Sequence, residues 1–229
     1  MTDVLRIFDL LPQYKEKYSQ YEVFAKKENN NWRKYFIDEY ILSSNYVSSA
    51  LLELGLKKGD TVVTIMDNCP EWNFLDIGMA QIGVVHVPVY PTISRNEYEY
   101  IISHCEAKII FLSQEQYCKK LNPILDKLTH VIEVYSFCEF SQYEKWDVFF
   151  DLGKKSIEKH AAYIENIKKT IKPTDLFTVI YTSGTTGISK GVMLSHQNLI
   201  SNVKDSSDVH VFAENMKAIS FLPLCHVFE

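Results

Sequence analysis

Residues Tyr181–Gly191 read YTSGTTGISKG, preceded by the run DLFTVIYT (Asp175–Thr182) and continued by GVML (Gly191–Leu194). Within those eleven positions lie three of the chain's eight glycines, five hydroxyl side chains besides the tyrosine, and one lysine. Gly184, Gly187 and Gly191 let the main chain approach a ligand closely, so that successive N–H groups converge on one anion. Thr182, Ser183, Thr185, Thr186 and Ser189 add hydroxyl donors that rotate to suit, and Lys190 adds a compact positive charge. Such donor density suits a polyphosphate. A Ser/Thr/Gly surface turn is the usual reading of a cluster like this. The β-branched and aromatic runs on both sides argue against it, because they predict a loop held between two buried strands. A Walker A loop needs glycine directly before its lysine; Ser189 stands there, which disfavours a strand-loop-helix NTPase.

Outward from the loop, the pattern alternates. Val4–Leu11 reads as a short amphipathic start, and Val23–Ile37 as two strands around Asn29-Asn30-Asn31. Asp38 is placed to cap a helix through Leu54, with Ile41, Val47, Leu51 and Leu54 on one face and Gly55 as its stop. Thr61–Met66 reads as a strand, Pro70 opens a helix to Ile82, and Val84–Tyr90 is the next strand. Ser94 and Glu97 form a capping-box pattern for a helix to about Cys105, followed by a strand at Lys108–Leu112. A further helix in Gln114–Leu128 precedes a strand at Val131–Tyr135. Strand and helix in alternation imply a parallel sheet with helices on its faces. Ser136–Pro173 breaks the rhythm with a lysine-rich helix around Lys154–Lys169, but Trp146, Val148, Phe149 and Phe150 are too apolar for a solvated linker. Ser195 or His196 caps a helix through Val203, and Ala218–Leu222 reads as one more strand ending at Pro223.

Composition is that of a folded globular chain: 229 residues, 46% hydrophobic and 23% charged, which excludes global disorder. A formal net charge of −5 offers no basic face for nucleic acid. The five cysteines (Cys69, Cys105, Cys118, Cys138 and Cys225) include no CxxC pair and fit reduced thiols in a cytoplasmic protein. The first residues, MTDVLRIFDLLPQYKEKY, lack a secretory pattern, and no apolar run is long enough to span a bilayer, so any membrane contact is expected to be peripheral.

Tyr181–Gly191 followed by VMLSHQNL resembles the phosphate-loop signature of the adenylate-forming (AMP-binding) superfamily of acyl-CoA synthetases, luciferases and peptide-synthetase adenylation domains. Phe221–Glu229 (FLPLCHVFE) is similar to that family's next motif in the form typical of long-chain fatty acyl-CoA synthetases. Gly59–Ile77 (GDTVVTIMDNCPEWNFLDI) and Gly83–Thr92 (GVVHVPVYPT) look like the same branch. The likeness runs from about Trp32 to the end and is least distinctive over Lys120–Pro173. It implies an α/β fold of mostly parallel sheets flanked by helices, with residues 1–229 the first portion of a larger AMP-binding domain. It also implies ATP-dependent activation of a fatty acid, in which the carboxylate attacks the α-phosphate and the thiol of CoA then displaces AMP. On this resemblance Tyr181, Thr182, Ser183, Gly184, Thr185, Thr186, Gly187 and Lys190 handle the ATP phosphates, and Thr185 is the hydroxyl nearest Mg²⁺. Lys190 neutralises the leaving group or locks the loop, and His226 lines the carboxylate end of the acyl pocket. Ser195, His196 and Asn198 match a family pattern too, yet capping is their simpler role, while His86 and Trp72 read as packed residues. Family members continue past the point matching Glu229 with an acidic magnesium motif, a ribose-binding aspartate, a hinge and a catalytic lysine. None of these falls within the 229 residues, so the chain alone is expected to be inactive. Two other readings stay open: an adenylating ligase for small or aryl acids or a carrier-protein thiol, and a non-catalytic module with a vestigial loop.

Overall fold

A computed structural model describes residues 4–139, 141–182, 188–209 and 216–225. A 3-10 turn at Ile7–Asp9 leads into α1 (Leu10–Tyr18). β1 (Glu22–Glu28) and β2 (Asn31–Phe36) form an antiparallel hairpin whose turn places Asn29 and Asn30 at φ 47° and 65°, left-handed conformations that asparagine tolerates. α2 (Ile37–Glu53) follows directly. Its N-cap is Phe36, so Asp38 does not cap the helix as expected; it sits inside the first turn, where its charge complements the helix dipole.

The alternation expected from the sequence then appears. β3 (Thr61–Ile65), α3 (Pro70–Ile82), β4 (Val85–Pro88), α4 (Arg95–His104), β5 (Ile109–Leu112), α5 (Glu115–Leu121) and β6 (Glu133–Ser136) follow in turn. Pro70 opens α3, and Gly83 closes it at φ 70°, a left-handed C-cap. The Ser94/Glu97 capping box is reciprocal: Glu97 N donates to Ser94 Oγ (3.3 Å) and Ser94 N to Glu97 Oε2 (2.9 Å). A short β7 (Glu144–Lys145) precedes α6 (Trp146–Thr170), and β8 (Leu176–Thr182), β9 (Lys190–Ser195) and α7 (His196–Val209) complete the order.

Among the described residues, seven strands form one sheet in the order β7-β6-β5-β3-β4-β8-β9, with every neighbour parallel except β8 and β9. Val62 and Val63 show how the pleat divides the core. Val62 faces Val47, Leu51, Leu75, Trp146 and Phe149 of α2, α3 and α6, whereas Val63 faces Tyr98, Ile102, Tyr117 and Leu121 of α4 and α5. Residues 136–173 therefore belong to the domain: Trp146 and Phe149 are buried against Phe111 and Tyr135, with ring centroids 4.9 to 6.0 Å apart, while Val148 is exposed. In the middle of the sheet the buried His86 hydrogen-bonds Thr64 Oγ1 of β3 (2.8 Å) and Asp76 Oδ1 of α3 (2.6 Å), and its carbonyl accepts from Thr178 Oγ1 of β8 (2.8 Å).

Two further expectations fail. Ala218–Leu222 is not a strand: residues 216–225 have no regular secondary structure, and Ile219 and Phe221 are 85% and 76% exposed. Nor is β9 buried. It is the outer strand of the sheet, with Val192 and Met193 exposed.

α2 lies between α3 and α6, and its contact surface is wider than an apolar stripe. Ser43, Ser44, Ser48 and Ser49 are buried along with Val47 and Leu51. Small residues permit close approach, and the hydroxyls are satisfied: Ser48 Oγ donates to the carbonyls of Ser44 (3.1 Å) and Gly78 (2.7 Å), and Ser49 Oγ meets Ser156 Oγ at 2.8 Å. The tightest point is Gly153 of α6, where an added Cβ would stand 2.0 Å from the Tyr46 carbonyl oxygen. Alanine is the better helix former by about 1 kcal/mol, but the clash is with backbone, which cannot swing aside. Gly153→Ala should therefore lower unfolding free energy by about 3 kcal/mol, read from the midpoint of a urea transition followed by circular dichroism. An unchanged midpoint would contradict the close crossing.

His196 begins α7 and is buried against Phe8 and Phe177, its Nδ1 accepting from Ile7 N at 3.3 Å. Ser195 is the cap, taking a hydrogen bond from Asn198 N (3.3 Å) while Asn198 Oδ1 accepts from Ser195 N (2.9 Å). Burial first, and the nearby Arg6 charge second, push the His196 imidazole down to about 4 from 6.5. Between those values the unfolded chain binds the proton that the folded chain refuses. The stability is thus fully present above about pH 6.5 and falls with pH through the window, by at most about 1.4 kcal/mol per unit, levelling below pH 4. Denaturation midpoints of His196→Asn against the parent should show a shallower decline from pH 6.5 to 4; parallel curves would refute this account.

Candidate functional site

The two strands flanking the glycine-rich loop are a single antiparallel hairpin. Its register pairs Tyr181 with Gly191 and Thr182 with Lys190, so the first and last positions of the motif stand side by side. Ser183, Gly184, Thr185, Thr186 and Gly187 lie outside the described residues, as does His226. Thr182 and Lys190 are both exposed at the end of the hairpin, leaving the hydroxyl and the ammonium accessible to a ligand. A Cβ on Gly191 would come within 2.8 Å of Val179 Cγ1, so the smallest residue keeps the two strands in register there.

β8 runs parallel to β4 and is joined to it by one ladder pair, His86 with Thr178, reinforced by the Thr178 hydroxyl on the His86 carbonyl. Beyond that pair Tyr181 turns toward the helices. Its hydroxyl hydrogen-bonds His104 Nδ1, the last residue of α4, at 2.6 Å, and Tyr100 stacks on the same imidazole with centroids 5.3 Å apart. Burial, with Cys105 and Tyr100 nearby, raises the Tyr181 phenol, which stays neutral and hydrogen-bonding at physiological pH. Tyr181 is thus an anchor for the start of the loop, and His104 its partner. Nothing in the sequence singled out His104, because a histidine in the last turn of a helix is unremarkable without its neighbour across space.

The parallel strands β3, β4 and β5 end on loops that carry polar groups. After β3, Asp67 receives hydrogen bonds from Tyr117 Oη (2.7 Å) and Gln114 Nε2 (2.9 Å), and its own N–H meets Ser113 Oγ (2.9 Å). Asn68, next in line, reaches residues 220–224. After β4, Lys120 Nζ donates to the carbonyls of Pro91 (2.9 Å) and Ile93 (2.8 Å), and Tyr98 Oη to Pro91 (2.7 Å), which fixes the VYPT loop. β3 is followed by a connection to β4 on one side and β5 by a connection to β6 on the other, with α3 and α5 on opposite faces. The crevice between β3 and β5 is therefore a topological switch point, the place where open α/β sheets hold ligands. No group of three or more His, Cys, Asp or Glu residues able to hold a metal ion occurs among the described residues. Among them, too, no helix is long and apolar enough to cross a membrane. All five cysteines are free.

Sheet order, the edge hairpin and the switch-point crevice together define an open, mostly parallel α/β domain. The AMP-binding enzyme family model matches residues 15–229, and the chain belongs to that family. Among curated relatives, it is 28% identical over 235 residues to the long-chain-fatty-acid–CoA ligase ACSBG2 of Xenopus laevis, covering 96% of this chain and 31% of that protein. It is 31% identical to ACSBG2 of Gallus gallus (96% and 30% covered) and 30% identical to fatty acyl-CoA synthetase A of Dictyostelium discoideum (90% and 31%). The chain thus spans about a third of the length of these relatives. Solved structures share the fold: the anthranilate CoA ligase AuaEII in complex with anthranoyl-AMP superposes with a TM-score of 0.72 at 20% identity, over 87% of this chain and 36% of that one. A Mycobacterium tuberculosis fatty acyl CoA synthetase gives 0.65 at 19% identity, over 89% and 37%.

Proposed function

We propose that the chain is the part of a fatty acid–CoA ligase that handles the ATP phosphates, and that its substrates are a long-chain fatty acid, ATP and CoA. The observation that carries this reading is the Thr182–Lys190 pairing, which gathers both ends of a loop rich in amides and hydroxyls at the tip of a hairpin anchored to the sheet. The long-chain assignment is supported by the fatty acyl ligases among the relatives.

In the proposed reaction a carboxylate oxygen attacks the α-phosphorus of ATP, the bond to the bridging oxygen breaks, and pyrophosphate leaves. The thiol of CoA then takes the acyl group and AMP departs. Charge accumulates on the leaving pyrophosphate, so groups fixed beforehand around it lower the barrier most. Main-chain N–H groups of Gly184 and Gly187 and the hydroxyls of Thr182, Ser183, Thr185 and Thr186 are assigned to the β- and γ-phosphates, with the Lys190 ammonium offsetting their charge. Tyr181, held by His104, fixes where the loop starts. His226 is assigned to the carboxylate end of the acyl pocket. Magnesium, when bound, supplies further charge neutralisation on the phosphates; it keeps most of its waters, and Thr185 is the one loop hydroxyl assigned to it. The hard oxygen donors of the loop suit that ion. We assign the protein to the cytoplasm, with any membrane contact peripheral.

The test is acid-dependent exchange of pyrophosphate into ATP by the longer enzyme carrying these residues, with long-chain, short-chain and aryl acids compared. Exchange should be greatest with long-chain acids. Lys190→Ala should lower it roughly 100-fold while leaving the thermal midpoint nearly unchanged, because the side chain is exposed, and the 229 residues alone should give none. Absence of exchange with every acid overturns the reading; preference for aryl acids reassigns the substrate.

A further inference from the structure

The stretch GDTVVTIMDNCPEW contains a residue whose geometry is not needed to hold the sheet together. Asn68 lies just beyond β3 at the switch-point crevice, and its side-chain amide is fully engaged with a segment about 150 residues away in sequence. Nδ2 donates to Ser220 Oγ (2.9 Å) and to the Leu222 carbonyl (2.7 Å), while Oδ1 accepts from Leu224 N (3.0 Å). The carbonyl can only accept and the N–H only donate, so the orientation of the amide is fixed by its partners. A carbonyl and an N–H two residues apart are what a strand offers to a neighbouring strand. One asparagine amide meets both, across Pro223, which has no N–H to give. Residues 218–222 are strand-like in composition yet lie outside the sheet. The segment is then seated by apolar contact: Leu224 packs on the core that includes Trp72 and Met66, and Cys225 is buried, which pushes its thiol up to about 11.

We propose that Asn68 is a positioning residue that holds the 220–225 segment, which leads in sequence into His226, on the sheet. The acyl-pocket role of His226 rests on the reading under Proposed function; the clamp itself does not. Asn68 is proposed to act through the segment it holds.

Amide hydrogen exchange of the 219–225 peptide in the 229-residue chain reads the clamp directly. Asn68→Ala should speed exchange of this peptide by roughly tenfold, while peptides from β3, β5 and α3 keep their protection. Asn68→Asp keeps the acceptor for Leu224 N and loses both donors, so it should fall between, and Ser220→Ala, which removes one of three bonds, should change exchange least. In the longer enzyme Asn68→Ala should raise KM for the fatty acid about tenfold, with KM for ATP and kcat little changed. Unaltered exchange in Asn68→Ala overturns the clamp. Faster exchange with an unchanged fatty-acid KM overturns the positioning role. Faster exchange in Asn68→Ala, together with a parent enzyme that activates no fatty acid, leaves the clamp standing and refutes the substrate reading instead.

Discussion

The buried imidazole of His86 is the interaction on which the rest of the architecture depends. Its ring joins β3, β4 and α3, and its carbonyl takes the hydroxyl of Thr178, among the described residues the only position at which β8 is in ladder contact with β4. An imidazole this deep cannot be left unpaired, since an unmet buried polar group costs on the order of 1–3 kcal/mol. Both ring nitrogens are met here, and Trp72 lies against the ring with centroids 4.8 Å apart. The result is a polar knot inside an otherwise apolar sheet. It binds a late strand to an early one, and through that strand it carries the glycine-rich hairpin.

Beyond this knot, the domain separates rigid packing from presentation. One face is closed by aromatic rings and by three helices in near backbone contact; the other by aliphatic residues and tyrosines of α4 and α5. Around the ends of the strands Asp67, Asn68, Lys120 and Tyr181 order loops by hydrogen bonds to side chains and carbonyls. Loops fixed in this way lose little further entropy when a ligand arrives, which is the usual advantage of a preorganised site.

Most of the framework was legible in the chain because local signals and global packing agreed. Pro70 with Gly83, Ser94 with Glu97, and Asn29 with Asn30 mark boundaries by backbone chemistry that tertiary structure has no cause to override. Where two signals competed, the local one lost. Phe36 ends β2 and simultaneously caps α2, so Asp38 arrives too late to do so. The apolar run after Met216 has strand-like composition, yet a strand requires a partner in register, and Asn68 supplies one amide in place of a ladder. The glycine-rich motif stood out through composition alone. His104 and Asn68 could not be read in that way, because each matters through one contact made across the fold.

The crossing of α2 and α6 has a consequence for how the protein is made. Ser49 and Ser156, which meet at that crossing, are 107 residues apart in the chain. A ribosome adding about 5–20 residues each second releases α2 roughly 5–20 s before its partner exists. Through that interval the inner surface of α2 faces water. Ser49 lets that part of the helix wait with its hydroxyl hydrated, where a leucine in the same place would present an apolar side chain to other nascent chains. The same small Ser49, with Gly153 nearby on α6, later admits that helix at close range, so the interface suits both the finished domain and its unfinished precursor.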